Sequence, residues 1–148
     1  MVRSISTRFQ SIVVLAMLTF AVGCCSMDVS PHDFKNLPLD EQVKKWRQWH
    51  AAGCGGSEIS HWYLDGMAQH GQPAADAMVP FLITSDPTFP QMDAIVVVRF
   101  ASYGANLRNH PATAQLRVLL TDSPDPYIRK AAWSALREID GVSPPLPN

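Results

Sequence analysis

Four residues of this 148-residue chain have the types and spacing to do chemistry together: His50, Cys54, Glu58 and His61. They bracket a glycine-rich bend, Gly53-Cys54-Gly55-Gly56. Imidazole nitrogen and thiolate sulfur are zinc ligands, and glycines let a chain fold round an ion. The spacing matches no zinc motif, and the competing reading is a polar loop, so the expectation is no metal and no cofactor. A metal- or thiol-dependent enzyme using His50, Cys54 and His61 stays as one hypothesis. The chain carries no Gly-rich phosphate loop, no nucleophile elbow and no zinc-protease helix. Its Ser, His and Asp residues show no pairing pattern, and a non-enzyme with no catalytic residue is expected. Recognition is the other chemistry on offer. Trp46 and Trp62 fall on apolar stripes and are assigned to the core with Tyr63. Trp49 lies beside the stripe, next to Lys45 and Arg47, which is the setting of a binding hot spot. Against that stands a bulky side chain that simply covers the end of the fold. The stretch Asn106, Arg108, Asn109, His110 is a second candidate edge, weighed against a solvated loop. The partner-binding candidates are therefore Trp49, Lys45, Arg47, Arg108 and His110.

Location is written at the other end of the chain. Arg3 and Arg8 precede Ile12 to Val22, a short run without charge, and small residues follow at Ala21-Val22-Gly23-Cys24. A positive start, a short apolar core and small residues at a cut site describe a secretory signal. The run falls short of the ~20 residues of a membrane span. A Gly-Cys pair there resembles a bacterial lipobox, although Ala21 stands where Leu is usual. The resemblance implies cleavage after residue 23 and lipidation of Cys24, with fatty acid on its sulfur-linked glyceride and on its amine. Plain secretion is the alternative. The absence of Asp at position 25 implies outer-membrane sorting in an enteric-like host. Removing Arg3 and Arg8 from 12 basic residues leaves 10 against 13 acidic ones, a net charge of −3. That balance does not suit nucleic acid, and without a polybasic tract the lipid would make the membrane contact. An oxidising compartment would let Cys25 and Cys54 pair, or leave two free thiols.

The elements that must position these residues are helices. Residues 24–38, polar and broken by Pro31 and Pro38, read as a lipidated Cys followed by a flexible tether. A helix follows from Leu39 to Ala52, then one from Ser57 to Gly71 and one from Pro73, interrupted by Pro80. The run Ala94-Ile95-Val96-Val97-Val98 is ambiguous, since four β-branched residues also suit a buried strand. It matches the later segment Ala131-Ala132-Trp133-Ser134-Ala135-Leu136 at an offset of 36 residues. Asp86 matches Asp122 at the same offset, which favours a helix from Phe89 to Tyr103. Leu116, Leu119 and Leu120 share one helical face; after a turn, Ile128, Ala131, Ala132, Ala135, Leu136 and Ile139 share another broad one. Asp125 is placed to cap the last helix, with Pro126 at its first position.

The segment LLTDSPDPYIRKAAWSAL resembles the HEAT-like (phycobilisome-lyase-type) helical repeats. The resemblance covers residues 73–140, and 39–71 by shape only. It implies an all-α fold: a short α-solenoid of about three antiparallel helical hairpins over residues 39–140, then a Pro-rich, disordered tail at 141–148. It also implies an inter-repeat polar ladder through Asp86, Asp122 or Asp125, and Arg129, incomplete where Asp93 replaces the family's Arg. The expected function is a membrane-anchored lipoprotein, facing the periplasm or exterior, that binds another envelope protein without catalysis. A periplasmic inhibitor or immunity-type lipoprotein, blocking a toxin or hydrolase, is the narrower alternative.

Overall fold

The computed structural model describes residues 27–54, 61–83 and 91–141. The signal segment, Cys24, Cys25, Glu58, Asp86 and the tail from residue 142 lie outside them. The described residues hold seven helices and no strand: α1 Pro31–Phe34, α2 Leu39–Ala51, α3 His61–Ala68, α4 Gln72–Ile83, α5 Gln91–Ala101, α6 Pro111–Asp122 and α7 Pro126–Asp140. None of them is long and apolar enough to cross a membrane.

The helix ends follow their local chemistry. The Asp125 carboxylate accepts the Tyr127 N–H at 2.8 Å, and Pro126 occupies the first helical position. Gly141, at φ 69°, ends α7 in the left-handed conformation, its N–H donating to Arg137 O. His110 caps α6: its Nδ1 accepts the Ala112 N–H at 3.2 Å, so the ring proton sits on Nε2, which donates to Asp76 at 3.0 Å. Pro80 does not interrupt α4. It removes the N–H that would bond to the Asp76 carbonyl, but both residues are exposed, so water can satisfy that oxygen.

The β-branched run lies inside α5. Ala94, Ile95, Val97 and Val98 are buried because α5 packs against α3, α4 and α7. Beyond that, α4 packs on α6 and α6 on α7. Alanines 74, 75, 94, 101, 112, 132 and 135 are buried at these crossings and let the backbones approach closely.

Two expectations for the amino-terminal part are corrected. Residues 27–38 are not a free tether. Ser30 caps α1 through the Asp33 N–H, and Phe34 is fully buried against Trp49 and Tyr63. Gly66 makes room for this return, since a Cβ there would come within 3.4 Å of the Phe34 and Lys35 side chains. Consequently Trp49 is 6% exposed, whereas Trp62, assigned to the core, is 73% exposed.

Candidate functional site

A groove runs along α2. Leu39, Val43 and Ala51, with Ala77 of α4, form its apolar lining, and Asp40, Lys44, Arg47, Gln48 and His50 supply its polar atoms. Its volume is about 820 Å³. It exists because α2 and α4 do not pack against each other, whereas α4 and α6 do. Phe81 of α4 closes the gap at one point: Trp46 meets its ring edge-on at 4.8 Å, and the Arg47 guanidinium stands over it at 5.9 Å.

Beside the groove, one carboxylate fastens α2 to α5. Asp93 Oδ2 accepts from Trp46 Nε1 at 3.2 Å and from His50 Nε2 at 3.0 Å. The His50 side chain is 5% exposed and that of Asp93 13%. In the repeat pattern Asp93 stands out only as a departure from Arg; a carboxylate beside the apolar run at residues 94–98 is the signal that it needs a buried donor.

A second carboxylate fastens the amino-terminal stretch. Asp28 accepts from Lys45 Nζ at 2.6 Å and from Trp49 Nε1 at 3.2 Å. The Lys45 hydrogen bond, with a smaller contribution from Trp49, holds the Asp28 carboxyl below its ordinary range. Tyr63 OH donates to Val29 O at 2.8 Å, and partial burial pushes its phenol up. Trp49 and Lys45 therefore serve the fold here.

The other candidates divide in the same way. Arg47 is exposed along the groove. Arg108 is exposed, with its Nε donating to Ile139 O, while His110 is buried as the α6 cap. The two arginines lie on different elements, and no groove brings them together among the described residues. Arg129 donates to Ser123 O and Pro124 O within its own turn, Asp122 is exposed, and Asp125 is a helix cap. Of the metal hypothesis, Cys54 is buried and disulfide-bonded, which removes the thiolate a zinc ion would need. His50 is held by Asp93, and His61 is exposed at the start of α3.

Sequence reasoning missed the small cleft of about 280 Å³ between α1 and α3, lined by Pro31, His32, Lys35, Trp62, Asp65 and Gln69. Comparison with family models, with curated proteins and with solved structures finds no match.

Proposed function

We propose that this chain is a lipid-anchored envelope protein whose helical domain binds another protein without catalysis. Trp62 carries this reading. A 73% exposed indole, flanked in one cleft by Lys35, His32, Asp65 and Gln69, has the composition of an interface hot spot: an aromatic anchor with a polar rim. Tyr127 and Tyr103 are comparably exposed, and what sets Trp62 apart is its place in a cleft with polar neighbours, where a partner would bury the indole. The helix pairings support a short α-solenoid of three hairpins, α2/α3, α4/α5 and α6/α7, with α1 folded over the first. The apolar leader ending in Gly23-Cys24 supports anchoring through Cys24 on the periplasmic or exterior side.

The test is recovery of the tagged full-length protein from cross-linked envelopes. One near-stoichiometric protein is expected, lost on Trp62→Ala with helicity unchanged. Should that protein be a toxin or hydrolase, the inhibitor reading takes over. A partner retained equally by Trp62→Ala places the contact elsewhere. An unacylated amino terminus in the intact mass would overturn the anchor.

A further inference from the structure

We propose that the groove between α2 and α4 is a binding site for a single-chain anionic amphiphile of the fatty-acid type. This site is separate from the Trp62 cleft and does not depend on the protein partner argued above.

The dimensions come first. The groove follows α2 from Leu39 to Ala51, about 18 Å at 1.5 Å per residue. Its volume of about 820 Å³ spread over that length gives a mean cross-section of roughly 45 Å². An extended peptide would fit by width but not by chemistry. Most backbone groups of the described walls are spent within helices, the exceptions being the uncapped first N–H groups of α2 at Leu39 and Asp40, so a strand lying there would find few partners for its N–H and C=O groups, and burying them unpaired is costly. An alkyl chain has the width and brings no polar group. Leu39, Val43, Ala51 and Ala77 provide the apolar lining it would exchange for water. The volume also lies within the ordinary range of small-molecule sites.

Charge selects the head group. Lys44 and Arg47 stand on successive turns along the groove. Among the described residues Lys44 is shared with Glu41, at 3.5 Å and in solvent, an arrangement of little energetic weight. Arg47 makes no ion pair among the described residues; its guanidinium stands over the Phe81 ring. Asp40 also lines the groove, one turn before Lys44, and would repel an anionic head at that end. A carboxylate between Lys44 and Arg47 would find two mobile cations whose methylene stems lie along the alkyl chain.

The experiment uses the full-length chain in phosphatidylcholine vesicles with a diazirine-bearing C12 fatty acid as the probe. After photolysis, saturable adducts are expected on the peptides of α2 and α4. They should be displaced by laurate, but not by equal dodecyltrimethylammonium or dodecyl maltoside. Val43→Trp and Ala77→Trp fill the groove, and each should lower labelling at least tenfold. Because either could disturb packing, the surface pair Lys44→Glu/Arg47→Glu is tested beside them, and it should lower labelling several-fold with helicity unchanged. Labelling spread over the chain, equal displacement by the cationic amphiphile, or indifference to the charge reversal overturns the proposal. So does a wild-type groove that takes no label. In that event a cross-link from the groove to residues 1–26, to a second copy or to a partner protein would name the occupant instead.

Discussion

The part of the molecule before Gly71 and the part after it hold together by different means. After Gly71, four helices cross through alanines and aliphatic side chains, and each is buried against at least two others. Before Gly71, α1 to α3 make fewer helix-to-helix contacts and depend on large rings pinned by single polar bonds. Phe34, Trp49 and Tyr63 meet with ring centroids 5.0–5.4 Å apart, two of the three pairs edge-on; Asp28 and the Val29 carbonyl hold Trp49 and Tyr63, and Asp93 holds Trp46 and His50. The two clefts described above lie in or beside this amino-terminal part. Small residues at helical spacing close the space between helices. The groove opens where α2, itself 13 residues long, meets α4 through the Trp46 and Phe81 rings, and the smaller cleft opens where the four-residue α1 meets α3.

The most severe test of the contrast removes one core side chain from each part. Trp46→Ala would empty a fully buried site, strand the Asp93 carboxylate and loosen Phe81. The expected loss is about 3–5 kcal/mol. Leu116→Ala, fully buried at the α6 crossing, should cost about 2–5 kcal/mol. Urea melts in a Trp133→Phe background, which confines tryptophan fluorescence to the amino-terminal part, followed by that signal and by helicity would separate the two. If the parts differ as described, Trp46→Ala splits the probes, with the amino-terminal signal moving first, and Leu116→Ala shifts both together. Coincident curves in both variants would mean that one cooperative unit spans the chain.

The two parts also differ in how far the sequence discloses them. The carboxy-terminal helices are legible because each signal is local: Asp125-Pro126 starts α7, Gly141 stops it, and the spacing of Ala132, Ala135 and Leu136 names its inner face. Even the β-branched run of α5 is readable once the 36-residue offset sets it beside α7. The amino-terminal part is illegible for a reason that starts with one residue. Phe34 sits in a polar, proline-broken stretch, and nothing in its neighbourhood announces that a four-residue helix will fold back. Once it does, it covers Trp49, and the indole left outside is Trp62. The exchange of those two tryptophans thus follows from a single missed contact. The Asp93 bond was invisible for a related reason, since its two donors lie 43 and 47 residues away.

The Cys54 disulfide bears on the weaker part alone. If the Cys24 sulfur carries lipid, Cys25 is the one remaining cysteine that can pair with Cys54. Cys25→Ser should then expose one titratable thiol and destabilise the domain by about 2–4 kcal/mol. Adding reductant to the wild type should reproduce that loss, and neither treatment should change the order in which Leu116→Ala unfolds. Wild-type stability indifferent to reductant would remove the covalent tie from the account.

Asp93→Ala is expected to be milder, about 1–3 kcal/mol, because it leaves the Trp46 and His50 donors unpaired without opening a large cavity. A double-mutant cycle with His50→Ala should show coupling between them. Additive losses would mean that the carboxylate and the imidazole act independently.

The smallest effect tests a polar link between helices in the carboxy-terminal part. Glu138 accepts from Arg99 and from Tyr103 OH, tying α7 to α5 and its following turn. The Arg99 hydrogen bond, with a smaller contribution from Tyr103, holds the Glu138 carboxyl below its ordinary range against partial burial. The same bond to Glu138, with some burial, pushes the Tyr103 phenol up. The two shifts act at opposite ends of the pH scale. A carboxyl depressed in the folded state adds stability above its unfolded value, about 4.3, and that stability is lost as pH falls through the folded value. A phenol raised in the folded state adds stability below about pH 10, and that is lost as pH rises through its folded value. Each share is below about 1 kcal/mol, because the site is partly solvated. Melting temperatures of the wild type should therefore fall at both extremes, and Glu138→Gln should flatten both limbs. Tyr103→Phe should flatten the alkaline limb and leave most of the acid one, because Arg99 still holds the carboxylate. If Glu138→Gln changes neither limb, α5 and α7 are joined by apolar packing alone, and the contrast with the Asp93-pinned part is sharper than drawn.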